Sequence, residues 1–163
     1  MNVLIAIDEG AFLDCIEKFV TSREWPPRSH FLVLHVVEPP SEVASFLPNL
    51  IKETIVHDAH QYGLHLVRRM ALRVRDYFKT EHVEELVKDG RAKEVIISTA
   101  KDWSADLIVM GSHNKSTIER ISLGSVSETV LNTAPCSVVI ARPAVAADRK
   151  SSAESGSKET STV

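Results

Sequence analysis

Small and polar residues cluster at two places that a single loop joins. The first cluster runs from Gly111 to Ser116, and the second is Gly124-Ser125. A loop of this kind binds anions when it opens a helix, because the first amides of a helix have no partner within it. The residue types therefore predict a loop that holds the phosphates of a ligand.

The segments on either side of this loop predict a strand and a helix. Residues 106–110 are mainly apolar and end at a glycine, which is typical of a buried parallel strand. Ser125 and Glu128 have the spacing of a capping box, which is typical of a helix N-terminus. We expect a helix over residues 122–132. In open α/β sheets, ligands bind at the carboxyl ends of strands. The loop therefore starts where a ligand is expected.

Apolar residues in the rest of the chain alternate between the spacing of strands and that of helices. We expect strands at 2–7, 31–37, 82–88, 106–110 and 137–141, and helices at 12–20, 55–77, 92–103 and 122–132. Gly63 is interpreted as a weak interruption of the second helix. This alternation is typical of a single open parallel sheet with helices on both faces.

The residues of the loop resemble the universal stress protein family, whose nucleotide-binding members carry the pattern G-x2-G-x9-G-(S/T) here. Gly111 and Gly124-Ser125 match the pattern, and Asn114 stands at the second glycine. The similarity covers most of residues 1–142 and includes Val3–Asp8, Leu34–Val37, Ala105–Gly111, Leu123–Glu128 and Ala134–Ile140. The resemblance implies a Rossmann-like α/β fold with five strands in the order 3-2-1-4-5 and four helices.

The resemblance also implies which residues contact a nucleotide. Asp8 corresponds to the family's acidic residue beside the adenosine part, while Ala6 and Val36 fall where the family lines the adenine pocket. The expected binding residues are Ala6, Asp8, Val36, Met110, Gly111, Ser112, His113, Asn114, Lys115, Ser116, Gly124, Ser125 and Val126. We expect Gly111 to let the backbone approach the ligand and to adopt a positive φ. No catalytic or metal-ligating residue is expected.

Several of these residues also have ordinary structural explanations. Asp8 suits a helix-capping turn, Ser125 suits a bare N-cap, and His113 suits a solvent-facing loop. Ala6, Val36 and Met110 suit a strand core. Asn114 adopts the left-handed conformation at a cost of about 1 kcal/mol, so the turn survives, but its side chain adds bulk beside the phosphates.

The leading interpretation is a dimeric stress-response module that binds ATP or another adenine nucleotide with Mg²⁺ and hydrolyses it slowly at most. Asp8 and His113 are the candidate bases, and neither has an orienting partner visible in the sequence. The last strand, 137–141, is apolar and lies at a sheet edge in the implied order, which predicts a homodimer. The alternative is a nucleotide-free dimeric interaction protein of the same fold. A nucleotide α-hydrolase would need an SGGxDS-type loop, which residues 8–11 do not provide.

Composition agrees with one compact soluble domain of 163 residues, 44% hydrophobic and 25% charged. We expect the domain to span residues 1–143 and residues 144–163 to form a disordered polar tail. A net charge of −3 gives no attraction to nucleic acid or membranes, and the first apolar run is too short for a signal or membrane segment. We therefore expect a cytoplasmic protein with neither kind of partner.

Two further groups of residues are interpreted as structural. Cys15 and Cys136 lack a CxxC pattern, so we expect them to be small buried hydrophobes in a reducing compartment. His57 and His60 have helical spacing around Asp58, but no third ligand is evident, so a metal site is not expected there.

Overall fold

A computed structural model of the protein describes residues 1–8, 12–38, 48–112 and 123–142. Its strands are β1 (Asn2–Ile7), β2 (His30–Val37), β3 (Val83–Asp89), β4 (Leu107–Gly111) and β5 (Ser137–Ala141). Its helices are α1 (Phe12–Thr21), α2 (Asn49–Phe78), α3 (Ala92–Asp102) and α4 (Ser125–Thr133). The sequence predicted each of these elements, and most of their ends agree within one or two residues.

The strands form one parallel sheet in the order β3-β2-β1-β4-β5, as the family resemblance implied. Alternate strand residues point to opposite faces. One face packs with α1 and α2 through residues such as Ile5 and Val33, and the other packs with α3 and α4 through residues such as Leu4 and Ile108. Strand β1 is central, and Val3, Leu4 and Ile5 have no exposed surface.

Helix α2 begins earlier than the sequence predicted. It starts at Asn49 after Pro48, whereas the apolar spacing indicated a start at Ile55. All of its buried residues lie between Gly63 and Val74, and its first turns expose Leu50 and Ile51. Hydrophobic periodicity reports burial, so it does not mark helical turns that stand clear of the core.

Helix α4 begins at Ser125 rather than at residue 122, and Ser125 does not have the capping role predicted for it. Gly124 is the N-cap, with φ −68° and ψ 156°, and Ser125 is the first helical residue. No side-chain cap hydrogen bond forms at this end of the helix. The expected capping box of Ser125 and Glu128 is therefore wrong, because Ser125 stands one position too far along the helix to cap it.

Two sequence-based expectations concern the whole chain. The expected polar tail, 144–163, lies outside the described residues, so the boundary at residue 143 stays a prediction. Within the four described ranges, no helix is both long enough and apolar enough to cross a membrane.

Candidate functional site

A cavity of about 470 Å³ opens at the carboxyl ends of β1, β2 and β4. Strands β2 and β4 flank β1 on either side, so this is the point at which the direction of chain crossover reverses. Ligands of open α/β sheets bind at such a point. The cavity is lined by Ala6, Ile7, Asp8, Phe12, Ile16, Leu34, His35, Val36, Val37, Glu38, Ala59, Tyr62, Ala92, Ile96, Met110, Gly111, Ser125 and Val126.

Most of the predicted binding residues that lie in the described ranges are brought to this cavity by the fold. Those that line it are Ala6, Asp8, Val36, Met110, Gly111, Ser125 and Val126. Two others do not line it: Ser112 is buried, and Gly124 directly precedes the lining residue Ser125. The remaining predicted residues, His113, Asn114, Lys115 and Ser116, lie outside the described residues.

Gly111 is the last residue of β4, and the expectation of a positive φ there is wrong. A β-carbon on this residue would lie 2.7 Å from the Phe12 Cβ and 3.0 Å from the Phe12 Cγ. Carbon atoms do not approach so closely without a shift of the backbone. Residue 111 therefore lacks a side chain because the start of α1 packs directly on β4.

The first turn of α4 reaches the cavity through Ser125 and Val126. The Ser125 side chain is exposed, and the Ser127 hydroxyl donates to the Gly124 carbonyl at 2.9 Å. Since the N-cap is a glycine, it supplies no side-chain acceptor for the amides that follow. This helix end therefore presents partial positive charge next to the cavity.

Helix α3 also begins beside the cavity, but its first turn is capped by a carboxylate. Glu38, directly after β2, accepts a hydrogen bond from the Ala92 amide at 2.9 Å through Oε1. An acidic group at a helix N-terminus satisfies an amide and offsets the helix dipole. The chain therefore supplies a carboxylate to a first-turn amide of α3, whereas no side-chain cap hydrogen bond forms at the start of α4.

Sequence reasoning missed several lining residues. Tyr62 and Ala59 lie in the helix predicted at 55–77 and Phe12 lies in the helix predicted at 12–20, and no sequence pattern indicated a site role for them. Glu38 lies after a strand that the sequence predicted correctly, but its bond to Ala92 joins residues far apart in the chain. Such pairs leave no local pattern, although the position of Glu38 at a strand's carboxyl end could have marked it as a candidate.

His35 is a buried polar residue of the cavity wall, with 7% of its surface exposed. Its Nδ1 lies 3.1 Å from the Ile7 carbonyl oxygen. A carbonyl oxygen only accepts hydrogen bonds, so Nδ1 carries the proton and donates. The imidazole thus links β2 to the last residue of β1.

The other groups singled out in the sequence do not line this cavity. His60 pairs with Asp89, the Nδ1 and Oδ1 atoms being 3.6 Å apart. No group of three potential metal ligands occurs among the described residues. Cys15 and Cys136, expected to be buried, are free thiols and only partly buried, and this burial raises the pKa of each.

Comparison with known proteins agrees with this architecture. The model of the universal stress protein family matches residues 19–142. The universal stress protein of Methanothermobacter thermautotrophicus is 30% identical over 134 residues, which are 82% of this chain and 90% of that protein. Universal stress protein A homolog 2 of Coxiella burnetii is 45% identical over 58 residues, but the alignment spans only 36% of this chain and 39% of that protein.

Solved structures share the fold at lower identity. The protein MJ0577 of Methanocaldococcus jannaschii has a TM-score of 0.74 at 21% identity, covering 89% of this chain and 97% of that one. A universal stress protein family protein of Arabidopsis thaliana, solved with AMP bound, has a TM-score of 0.61 at 17% identity, covering 86% and 90% of the two chains.

Other universal stress proteins of this fold have been solved with further adenine nucleotides. One is in complex with cAMP, and another, from Archaeoglobus fulgidus, is in complex with dAMP. The family model covers most of this chain. The five strands of the chain have the order 3-2-1-4-5. The chain belongs to the universal stress protein family.

Proposed function

We propose that this protein binds an adenine nucleotide, ATP or a close relative, in the cavity at the sheet's switch point and acts as a dimeric stress-response module. The observation that carries the proposal is the shape of that cavity. It joins Asp8, after the central strand, to Ser125, at the start of α4. A bound nucleotide needs a cavity with two such ends, one that holds its sugar and base and one that holds its phosphates.

The phosphates belong at the N-terminus of α4. The first-turn amides of this helix follow a glycine N-cap, and the exposed Ser125 hydroxyl lies beside them. Amides and a hydroxyl in this arrangement bind phosphate oxygens without a charged side chain. Helix α3 is the poorer anion site, because Glu38 already bonds to its Ala92 amide.

The base and sugar belong at the opposite part of the cavity. Ala6, Val36 and Met110 give it an apolar wall at the ends of three neighbouring strands. Apolar lining with a few polar groups is typical of cofactor sites. The Asp8 carboxylate, at the end of the central strand, can accept hydrogen bonds from ribose hydroxyls.

Magnesium would enter with the nucleotide, because Mg²⁺ is usually held by phosphate oxygens and one or two carboxylates. Asp8 and Glu38 are the carboxylates among the described lining residues. Asp8, which directly follows the central strand, is the carboxylate that we propose as the Mg²⁺ ligand. We assign no catalytic base, and hydrolysis is proposed to be slow at most.

Dimerisation is proposed to use β5. This strand is an edge of the sheet, and Val138, Val139 and Ile140 are partly exposed along it. An apolar edge strand with unpaired amides tends to pair with another strand. Pairing with the same strand of a second copy would cover both features.

A nucleotide-free interaction protein is the second candidate, and one residue favours it. Asn114 stands where the family's nucleotide-binding pattern has its second glycine, at a position outside the described residues. An interaction protein would retain the fold and the dimer but would not bind the nucleotide.

Titration calorimetry with ATP and Mg²⁺ tests the proposal, together with mass analysis of any nucleotide released when the purified protein is denatured. We expect saturable binding of ATP, and weaker binding of GTP because of its different base. AMP and cAMP, titrated in parallel, identify the preferred adenine nucleotide. Folded protein that does not bind any of them at millimolar concentration would overturn the proposal in favour of the interaction-protein alternative.

A further inference from the structure

We propose that His35, held against Gly63, is a positioning residue for Asp8 and thereby determines how strongly the cavity prefers a nucleotide with ribose hydroxyls. The inference rests on the proposed function, since it concerns the same cavity. It assigns roles to two residues, His35 in β2 and Gly63 in α2, that the argument for nucleotide binding does not use.

The first step is the bond between His35 and the end of β1. Ile7 and His35 are paired in the register of the two strands, and Ile7 is the last residue of β1. The His35 Nδ1–H donates to the Ile7 carbonyl at 3.1 Å. That carbonyl belongs to the planar peptide that joins Ile7 to Asp8, so the bond restricts the orientation of the peptide and of the Asp8 backbone.

The second step is the fit of the imidazole against α2. Gly63 is buried in the middle of a helix, where glycine is less favourable than alanine. A β-carbon there would lie 2.5 Å from the His35 Cδ2 and 3.3 Å from the Val87 Cγ1. The helix therefore lacks a side chain at the point where the ring packs, and this contact keeps the ring beside Ile7.

The third step is the chemistry of the position. Val33, two residues earlier on the same face of β2, is fully buried among apolar side chains. An imidazole buried beside it has a desolvation cost that an apolar ring would avoid. The hydrogen bond to the Ile7 carbonyl offsets this cost. Because that carbonyl directly precedes Asp8, the imidazole serves the placement of Asp8 rather than packing alone.

The consequence for binding is selectivity for ribose. A correctly placed Asp8 carboxylate accepts hydrogen bonds from ribose hydroxyls, and a nucleotide without those hydroxyls does not form these bonds. We expect the parent protein to bind ATP roughly tenfold more tightly than 2′,3′-dideoxy-ATP, the fold-change of one hydrogen bond to a charged group. Displacing Asp8 lowers this ratio without removing the phosphate contacts.

The experiment measures the affinities for ATP and 2′,3′-dideoxy-ATP in the parent and in four variants. Asp8→Asn and His35→Phe should each bring the ratio of the two affinities close to one. His35→Gln should retain most of the parent's ratio, because its side-chain amide donates to the same carbonyl. Gly63→Ala should also lower the ratio, because it displaces the ring while retaining the imidazole. His60→Phe, which changes a histidine that does not line the cavity, should leave the ratio unchanged.

The outcomes separate this inference from the proposed function. A parent protein that binds neither nucleotide overturns both. A parent protein that binds both nucleotides equally well overturns only the preference for ribose hydroxyls and leaves the proposed nucleotide binding in place. If His35→Phe or Gly63→Ala melts at a lower temperature but retains the parent's ratio, the two residues have only a structural role and the inference is wrong. If His35→Phe does not fold, the ratio in Gly63→Ala decides the question.

Discussion

Phe12 packs so closely on Gly111 that a β-carbon on residue 111 would lie 2.7 Å from the Phe12 Cβ. The contact joins the first residue of α1 to the last residue of β4, next to the central strand. It sets the position of α1 at the cavity, because both residues contribute to the cavity wall. Glycine at 111 is thus explained by packing before any ligand is considered.

Replacing Gly111 with alanine should destabilise the fold. The added carbon must displace the backbone of α1 or β4, and overpacking of this kind costs about 1–3 kcal/mol. Urea unfolding measures the change in the free energy of unfolding. Gly124→Ala is the control, because a φ of −68° and a ψ of 156° suit alanine, and we expect a smaller loss there, limited to the weaker preference of alanine for an N-cap position. Equal losses in the two variants would contradict the packing argument.

Replacing Gly124 with valine should abolish nucleotide binding while preserving the fold. The φ of −68° and ψ of 156° are extended backbone that a β-branched residue adopts readily. The side chain would nevertheless stand at the start of α4, in the space proposed for the phosphates. Calorimetry with ATP measures the loss, and circular dichroism checks the fold. Unchanged affinity would place the phosphate site elsewhere.

Replacing Asn114 with glycine should tighten nucleotide binding. Asn114 lies outside the described residues, so this prediction depends on the family pattern, in which a glycine stands here. Relief of a left-handed penalty of about 1 kcal/mol corresponds to roughly fivefold higher affinity for ATP. Asn114→Ala is the companion variant. If both variants bind ATP more weakly than the parent, the carboxamide itself contacts the ligand.

The protein should form a dimer through β5. Light scattering at tens of micromolar should give twice the mass of one chain, because an apolar edge strand is covered by pairing. Val138→Lys, which places a charge on that edge, should shift the mass towards the monomer. A monomeric mass for the parent protein would rule out this assembly.

Both cysteines should react slowly with a thiol reagent in the folded state. Burial raises the pKa of Cys15 and of Cys136 above the ordinary value of 9.0, which leaves less thiolate at pH 8. The protonated thiols stabilise the folded state relative to the unfolded one. This stabilisation is complete below the ordinary pKa and is lost as the pH rises through the raised pKa. Reaction rates in buffer and in urea provide the test, with Cys15→Ser and Cys136→Ser separating the two thiols. Equal reaction rates in buffer and in urea would contradict this prediction.

The order of elements and seven of the eighteen residues in the cavity wall could be predicted from the sequence and its family resemblance. Apolar runs such as 2–7 and 137–141 indicated buried strands because burial on both faces of a parallel sheet requires them. Gly111 and Gly124-Ser125 indicated the ends of the loop, and the family resemblance supplied the strand order. These features are local or shared across a family, so a single chain displays them.

The tertiary structure alone decided why particular residues stand where they do. Gly111 faces Phe12 rather than adopting a positive φ, Ser125 begins α4 rather than capping it, and Glu38 caps α3. Gly63, which the sequence presented as a weak interruption of a helix, makes room for His35. The physical reason is the same in the contacts with Phe12, Glu38 and His35: each joins groups far apart in the chain, and periodicity within one element carries no information about the side chain that packs against it.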